Sequence, residues 1–132
     1  MNDCLFCKIV SGEIPCHKVY EDKNFLAFLD INPANLGHTL IIPKKHSKNI
    51  LEMDDELSKE MIIIIKKISK KIKTSLKSDG INILMNNEAG AGQIIFHTHV
   101  HIIPRFLDDG LKHWPSKKIT NIELEKIRNK LF

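Results

Sequence analysis

The chain has 132 residues, 42% hydrophobic and 27% charged, with 20 basic against 16 acidic side chains and a net charge of +4. That length predicts a single domain over 1–132 with a proper core, and the composition is that of an ordinary globular protein. One Tyr, one Trp and no alternation of basic with aromatic residues argue against nucleic acid, and the longest apolar run, Met61–Ile65, is far too short to span a membrane.

Residues 3–11 contain Cys4-Leu5-Phe6-Cys7-Lys8-Ile9-Val10, a short helix or turn closed by Ser11-Gly12, and Pro15 rules out a longer one. No export signal is visible, because this apolar run is broken by Lys8 and ends at Gly12. The odd cysteine count, 3, then argues against a disulfide framework, and the expected compartment is the cytoplasm. Val19–Glu21 and Asn24–Leu29 predict a hairpin turning at Asp22-Lys23, and Ile31–Gly37 carries the chemistry of a loop. His38–Pro43 is a third strand. Asp54 and Asp55 can cap a long helix running to about Lys77, with Gly80 as its terminator. Leu57, Met61, Ile64, Ile65, Ile68, Ile72 and Leu76 form its apolar stripe at ~100° per residue, with the lysines mostly off it. Ile63 points away from that stripe and is either an ordinary exposed isoleucine or a contact with a second subunit. Ile81–Met85 is a fourth strand, Asn86–Gln93 a loop, Ile94–Arg105 a fifth strand, and Ile122–Leu131 a final amphipathic helix. Sequential strands with one long helix between the third and fourth give an α+β domain on an antiparallel sheet.

The fifth strand carries His97, His99 and His101 at alternate positions, so they share one face while Thr98, Val100 and Ile102 point into a core. Such a row suits nucleophilic catalysis, metal ligation, or a division of both. Gly90 and Gly92 feed into that strand from a loop whose backbone N–H groups can approach an anion. Asp30, at the end of the second strand, is either a reader of a ribose diol or a loop-capping carboxylate. The Cys4-x-x-Cys7 pair is half of a zinc site, a redox pair, or two buried thiols. No strand precedes it, which weakens the redox reading. His46 and one member of the row are the natural further zinc ligands.

Together these pieces resemble the histidine triad (HIT) family of nucleotide hydrolases and transferases, in its bacterial zinc-containing form. The matching stretches are 4–9, 27–31, 37–46, 87–93 and the His-x-His-x-His row, in the family's order. The resemblance implies a HIT-like fold with five antiparallel strands, one long helix and a C-terminal helix, the sheet continuing across a homodimer. It also implies that His99 attacks the α-phosphate of a purine nucleotide and that water cleaves the resulting nucleotidyl-histidine. His101 and His38 would orient phosphate and nucleophile. Gln93 and Asn87 would stand at the phosphate, Asp30 at the ribose, and Phe6, Ile9, Phe28 and Ile31 around the base. Structural zinc would sit on Cys4, Cys7, His46 and His97. Ile94 departs from the pattern, since many members have Ser or Thr there. Nucleotidyl transfer, nucleotide binding with only vestigial turnover, and a catalytic metal shared by the three histidines are the alternative readings.

Overall fold

The structure, a computed structural model, describes residues 3–132. In chain order it comprises α1 (Leu5–Val10), β1 (Lys18–Glu21), β2 (Phe25–Leu29), β3 (Thr39–Pro43), α2 (Asp55–Leu76), β4 (Gly80–Leu84), β5 (Val100–Arg105) and α3 (Asn121–Leu131). The strands form one sheet in the order β1-β2-β3-β5-β4, every neighbouring pair antiparallel. The expected α+β sheet and long helix are present.

Alternation along the central strands gives the sheet two apolar faces. One face, with Phe25, Ala27, Ile41, Val100 and Ile102, packs under Met61, Ile64, Ile65 and Ile68 of α2. The other, with Leu26, Phe28, Leu40 and Ile42, packs under Phe6 of α1. The histidine row belongs to this second side, against Phe6.

Asp54 caps α2 by accepting from Leu57 N at 3.2 Å. The helix ends at Lys77, which takes the left-handed conformation at φ 53°, whereas Gly80 opens β4. Gly80 is therefore not the terminator that spacing suggested. β5 is also shorter than its apolar pattern, because the ladder with β3 stops at Ile41↔Val100. Lys44 N–H donates to Asn24 O, toward β2, so the preceding residue faces β5. That residue is Pro43, which has no N–H to extend the ladder. Residues 97–99 instead run beside the 44–49 loop, where Thr98 N donates to Ser47 O at 2.8 Å. α3 differs as well. Its capping box, Thr120 with Glu123, holds it locally, and none of its residues is buried.

Gly37 requires glycine: its φ is +96°, and an added Cβ would lie 2.2 Å from Leu76 Cδ1. Leu76 is 43% exposed and free to swing aside, so the backbone term dominates. Gly37→Ala should cost about 1–2 kcal/mol in chemical denaturation. A Leu76→Ala background should not recover most of that loss.

Candidate active site

A neutral imidazole carries one proton on two nitrogens, so whatever faces one nitrogen decides what the other can do. In His97, Nε2 lies 2.7 Å from the carbonyl of Pro43, which can only accept; the proton sits there and Nδ1 is left bare. In His99, Nδ1 lies 2.7 Å from the carbonyl of His97, so Nδ1 donates and Nε2 is bare. His38 is arranged the opposite way, because its Nδ1 accepts from Ala34 N at 3.0 Å. Its Nε2 therefore carries the proton, 2.9 Å from His101 Nδ1 and 3.6 Å from Asp30 Oδ2.

Burial keeps these rings neutral. It lowers the pKa of His101 to about 4, helped by the neighbouring His99 and His38 and opposed by Asp30. It lowers His97 to about 4 as well, against the pull of the Pro43 carbonyl. His99 and His38 move the same way for the same first reason, with Asp30 opposing in both.

His99 and His101 form part of the wall of a cavity of about 720 Å³. Phe6, Ile9, Phe28, Asp30 and Ile31 line it too, so the residues assigned from sequence to base and ribose share one space. Phe6 packs edge-on against both Phe28 (5.7 Å between centroids) and His99 (5.1 Å). His38 stands behind His101 rather than on the wall. Asp30 Oδ1 accepts from Asn32 N at 2.8 Å, which fixes the carboxylate at the cavity edge.

Gln93 and Asn87 are placed differently from the sequence reading. The Gln93 side chain is buried, and both ends are saturated by the protein. Nε2 donates to Lys48 O (2.7 Å) and Ile95 O (3.1 Å), while Oε1 accepts from Glu88 N (2.8 Å) and Asn49 Nδ2 (3.3 Å). It braces the loop from inside and has no donor left for a phosphate. Asn87 Oδ1 accepts from Ile50 N at 3.1 Å, and it is the adjacent Asn86 that lines the cavity. Two consecutive asparagines gave the sequence no way to choose; the chain's exit direction from β4 does. The Ile14–His17 segment, which runs beside the end of β2, and Leu40 also line the cavity and were missed, since nothing in their local sequence marks them as pocket walls.

A second cluster lies beyond Phe6. The capping sulfur of Cys4, which accepts from Cys7 N, and the Cys7 sulfur stand together at the start of α1. His97 Nδ1 is 3.4 Å from Cys4 Sγ, 3.6 Å from Cys7 Sγ and 3.2 Å from His46 Nδ1, which is itself 3.4 Å from Cys7 Sγ. Tetrahedral zinc, with bonds of about 2.0–2.3 Å, needs ligand separations of about 3.3–3.7 Å, so the donors fit. Burial and the adjacent Cys4 raise the Cys7 thiol, and a cation held between the sulfurs would favour the thiolate instead. The three histidines of the row do not share one centre, because His97 turns to the cysteines and His99 spends Nδ1 on a carbonyl.

A family model described as the HIT domain matches residues 11–108. The chain is 46% identical to adenylylsulfatase HINT3 of Arabidopsis thaliana, over 98% of this chain and 66% of that protein. It is 40% identical to adenosine 5'-monophosphoramidase hnt1 of Schizosaccharomyces pombe, over 94% and 92% respectively. The crystal structure of SMU.412c from Streptococcus mutans UA159 superposes with a TM-score of 0.94 at 46% identity, covering 99% of this chain and 84% of that one.

The neutral cluster carries a pH signature. His101 titrates at about 4 folded against an ordinary 6.5, so between those values the unfolded chain binds more protons. Stability then rises with pH across that window, and falls as pH drops from 6.5 toward 4. The thermal midpoint should decline over this range, and His101→Phe should flatten part of the slope.

Proposed function

The chain belongs to the HIT family, and from that premise we propose that it is a nucleotide hydrolase cleaving at the α-phosphate of purine nucleoside phosphoramidates, adenylated amines or dinucleoside polyphosphates. The observation that carries the reading is the 2.7 Å contact from His99 Nδ1 to the His97 carbonyl, which leaves Nε2 unprotonated on a cavity that also holds a carboxylate and aromatic walls.

His99 Nε2 attacks the α-phosphorus, the bond to the leaving group breaks, and the departing amine or phosphate takes up a proton from solvent, which the hydrolysing water returns in the second step. The adduct is a phosphorylated imidazolium whose Nδ1–H stays on the His97 carbonyl, which stabilises the positive charge. Water then cleaves the P–N bond and restores the bare Nε2. Asp30 accepts hydrogen bonds from the ribose hydroxyls, and Phe6, Ile9, Phe28 and Ile31 enclose the base. The loop carrying Asn86 and Gly92 faces the phosphate. Ile94, 86% exposed on the same wall, offers no hydroxyl to a leaving group. Two relatives bear the names adenylylsulfatase and adenosine 5'-monophosphoramidase, which supports an adenosine nucleotide as substrate.

We assign structural zinc to Cys4, Cys7, His46 and His97; when bound, it would tie α1 and the 44–49 loop to the start of the histidine row. The whole chain, 1–132, acts as one such unit and pairs through the β4 edge, where Ile62, Ile63 and Ile83 are each at least half exposed. Lys66, Ser69 and Lys70 flank these isoleucines in a shallow groove. The three free thiols suit a reducing, cytoplasmic compartment.

His99→Ala should lower turnover about a thousandfold or more while nucleotide still binds. Alkaline trapping of wild type with a nucleoside phosphoramidate should add one nucleotide monophosphate by intact mass, mapped to His99; an adduct on His97 or His101 refutes the assignment. Metal analysis should find about one zinc per chain. Cys4→Ser should lose most of it and unfold at lower temperature by several kcal/mol of stability; metal-free wild type prepared without chelator rules out the zinc assignment.

A further inference from the structure

We propose that the backbone amide of Ala34, acting through His38, fixes the tautomer of His101 and closes the Asp30–His38–His101 group to divalent cations. The ring tautomers do not depend on the nucleotide-hydrolase reading; their use in turnover does.

By distance alone, Asp30, His38 and His101 would make a metal site, since one ligand atom from each lies within 4.8 Å of the others. His38 Nε2 is 2.9 Å from His101 Nδ1 and 3.6 Å from Asp30 Oδ2, which brackets the separation of about 3.3 Å between two imidazole nitrogens on tetrahedral zinc. What differs from the Cys4–Cys7 cluster is the group behind the histidine. Behind His97 stands a carbonyl, Pro43 O, which takes the proton and leaves a lone pair for a metal. Behind His38 stands an N–H, that of Ala34, which takes the lone pair and leaves the proton where a metal would bind. Turning His38 into a ligand would put Nδ1–H against the Ala34 N–H, two donors facing each other at the present 3.0 Å.

The amide is held firmly enough to impose this. Asn35 Nδ2 donates to Pro104 O (2.9 Å) and Asp109 Oδ2 (3.1 Å), and His38 N returns to Asn35 O at 3.0 Å. Asp109 is in turn gripped by Arg105 at 2.8 Å. With His38 Nε2–H donating to it, His101 Nδ1 is an acceptor, so the proton of neutral His101 resides on Nε2. On a ring that lines the cavity, this gives a fixed donor for a phosphoryl oxygen instead of a repelling lone pair. Ala34 and His38 are thus positioning residues: they touch neither phosphate nor base, and they decide which way His101 is polarised.

The test is ring NMR on 15N-histidine-labelled, zinc-loaded protein without nucleotide. His38 and His101 should both show the Nε2–H pattern and His99 the Nδ1–H pattern. In His38→Gln the amide nitrogen replaces Nε2 as donor, so His101 should keep its pattern; in His38→Phe the donor is gone, and His101 should become a mixture. An Nδ1–H pattern at His38, or an unchanged His101 in His38→Phe, overturns the proposal. Zinc titration gives a second readout. Wild type should take one ion and, at tenfold excess, no second. A second zinc in wild type, lost in His38→Phe and kept in Cys4→Ser, overturns it equally. Ala34→Pro, which removes the N–H, should admit that second zinc; should this variant not fold, the wild-type and His38 measurements decide alone. Absence of a His99 adduct would sink the hydrolase reading and leave these results untouched.

Discussion

The hydrogen bond from His97 Nε2 to the carbonyl of Pro43, at 2.7 Å, is the contact on which most of the site depends. Pro43 acts twice at this point. Lacking an N–H, it stops the β3–β5 ladder and frees residues 97–99 from the sheet; with its carbonyl, it captures the freed His97 ring. The captured ring turns Nδ1 to the cysteines and leaves its own carbonyl to accept from His99 Nδ1. One residue that cannot continue a strand thereby orients two imidazoles in opposite senses.

α1 then joins the two centres. It has six residues, far below the length at which an isolated helix is stable in water. Its Phe6 packs against Phe28, His97 and His99, while its cysteines face His97 and His46. Burial of Phe6 and the convergence of the two thiols hold the helix, and through it one wall of the cavity. The same short helix therefore touches both the thiol cluster and the cavity wall by direct packing.

On the opposite wall, order comes from strain held by polar contacts. Glu88 has φ 75° and ψ 154°, a region that non-glycine residues avoid. It is kept there by Lys48 on its carboxylate at 3.0 Å, and by its N–H on Gln93 Oε1 at 2.8 Å. Gln93 is consumed in this task, which is why a residue that looks like a phosphate ligand in the sequence is a brace in the fold. The asparagine pair shows the same effect: Asn87 anchors Ile50 N, and Asn86 takes the cavity.

Residue periodicity by itself determined the five strands, the long helix and its buried stripe, because apolar spacing is a local record of which face meets a core. It also determined that the three histidines lie on one side, with Val100 and Ile102 on the other, and the motif order brought the cysteines, Asp30 and the row into one family. Only the tertiary structure decided what each imidazole nitrogen does. That choice depends on whether a carbonyl or an amide from elsewhere in the chain stands behind the ring: Pro43 O is 54 positions from His97, and Ala34 N lies in the loop before β3. It likewise decided where β5 begins, which asparagine faces the cavity, and that no residue of α3 is buried. Sequence spacing records faces, and hydrogen-bond direction across long separations leaves no trace in it.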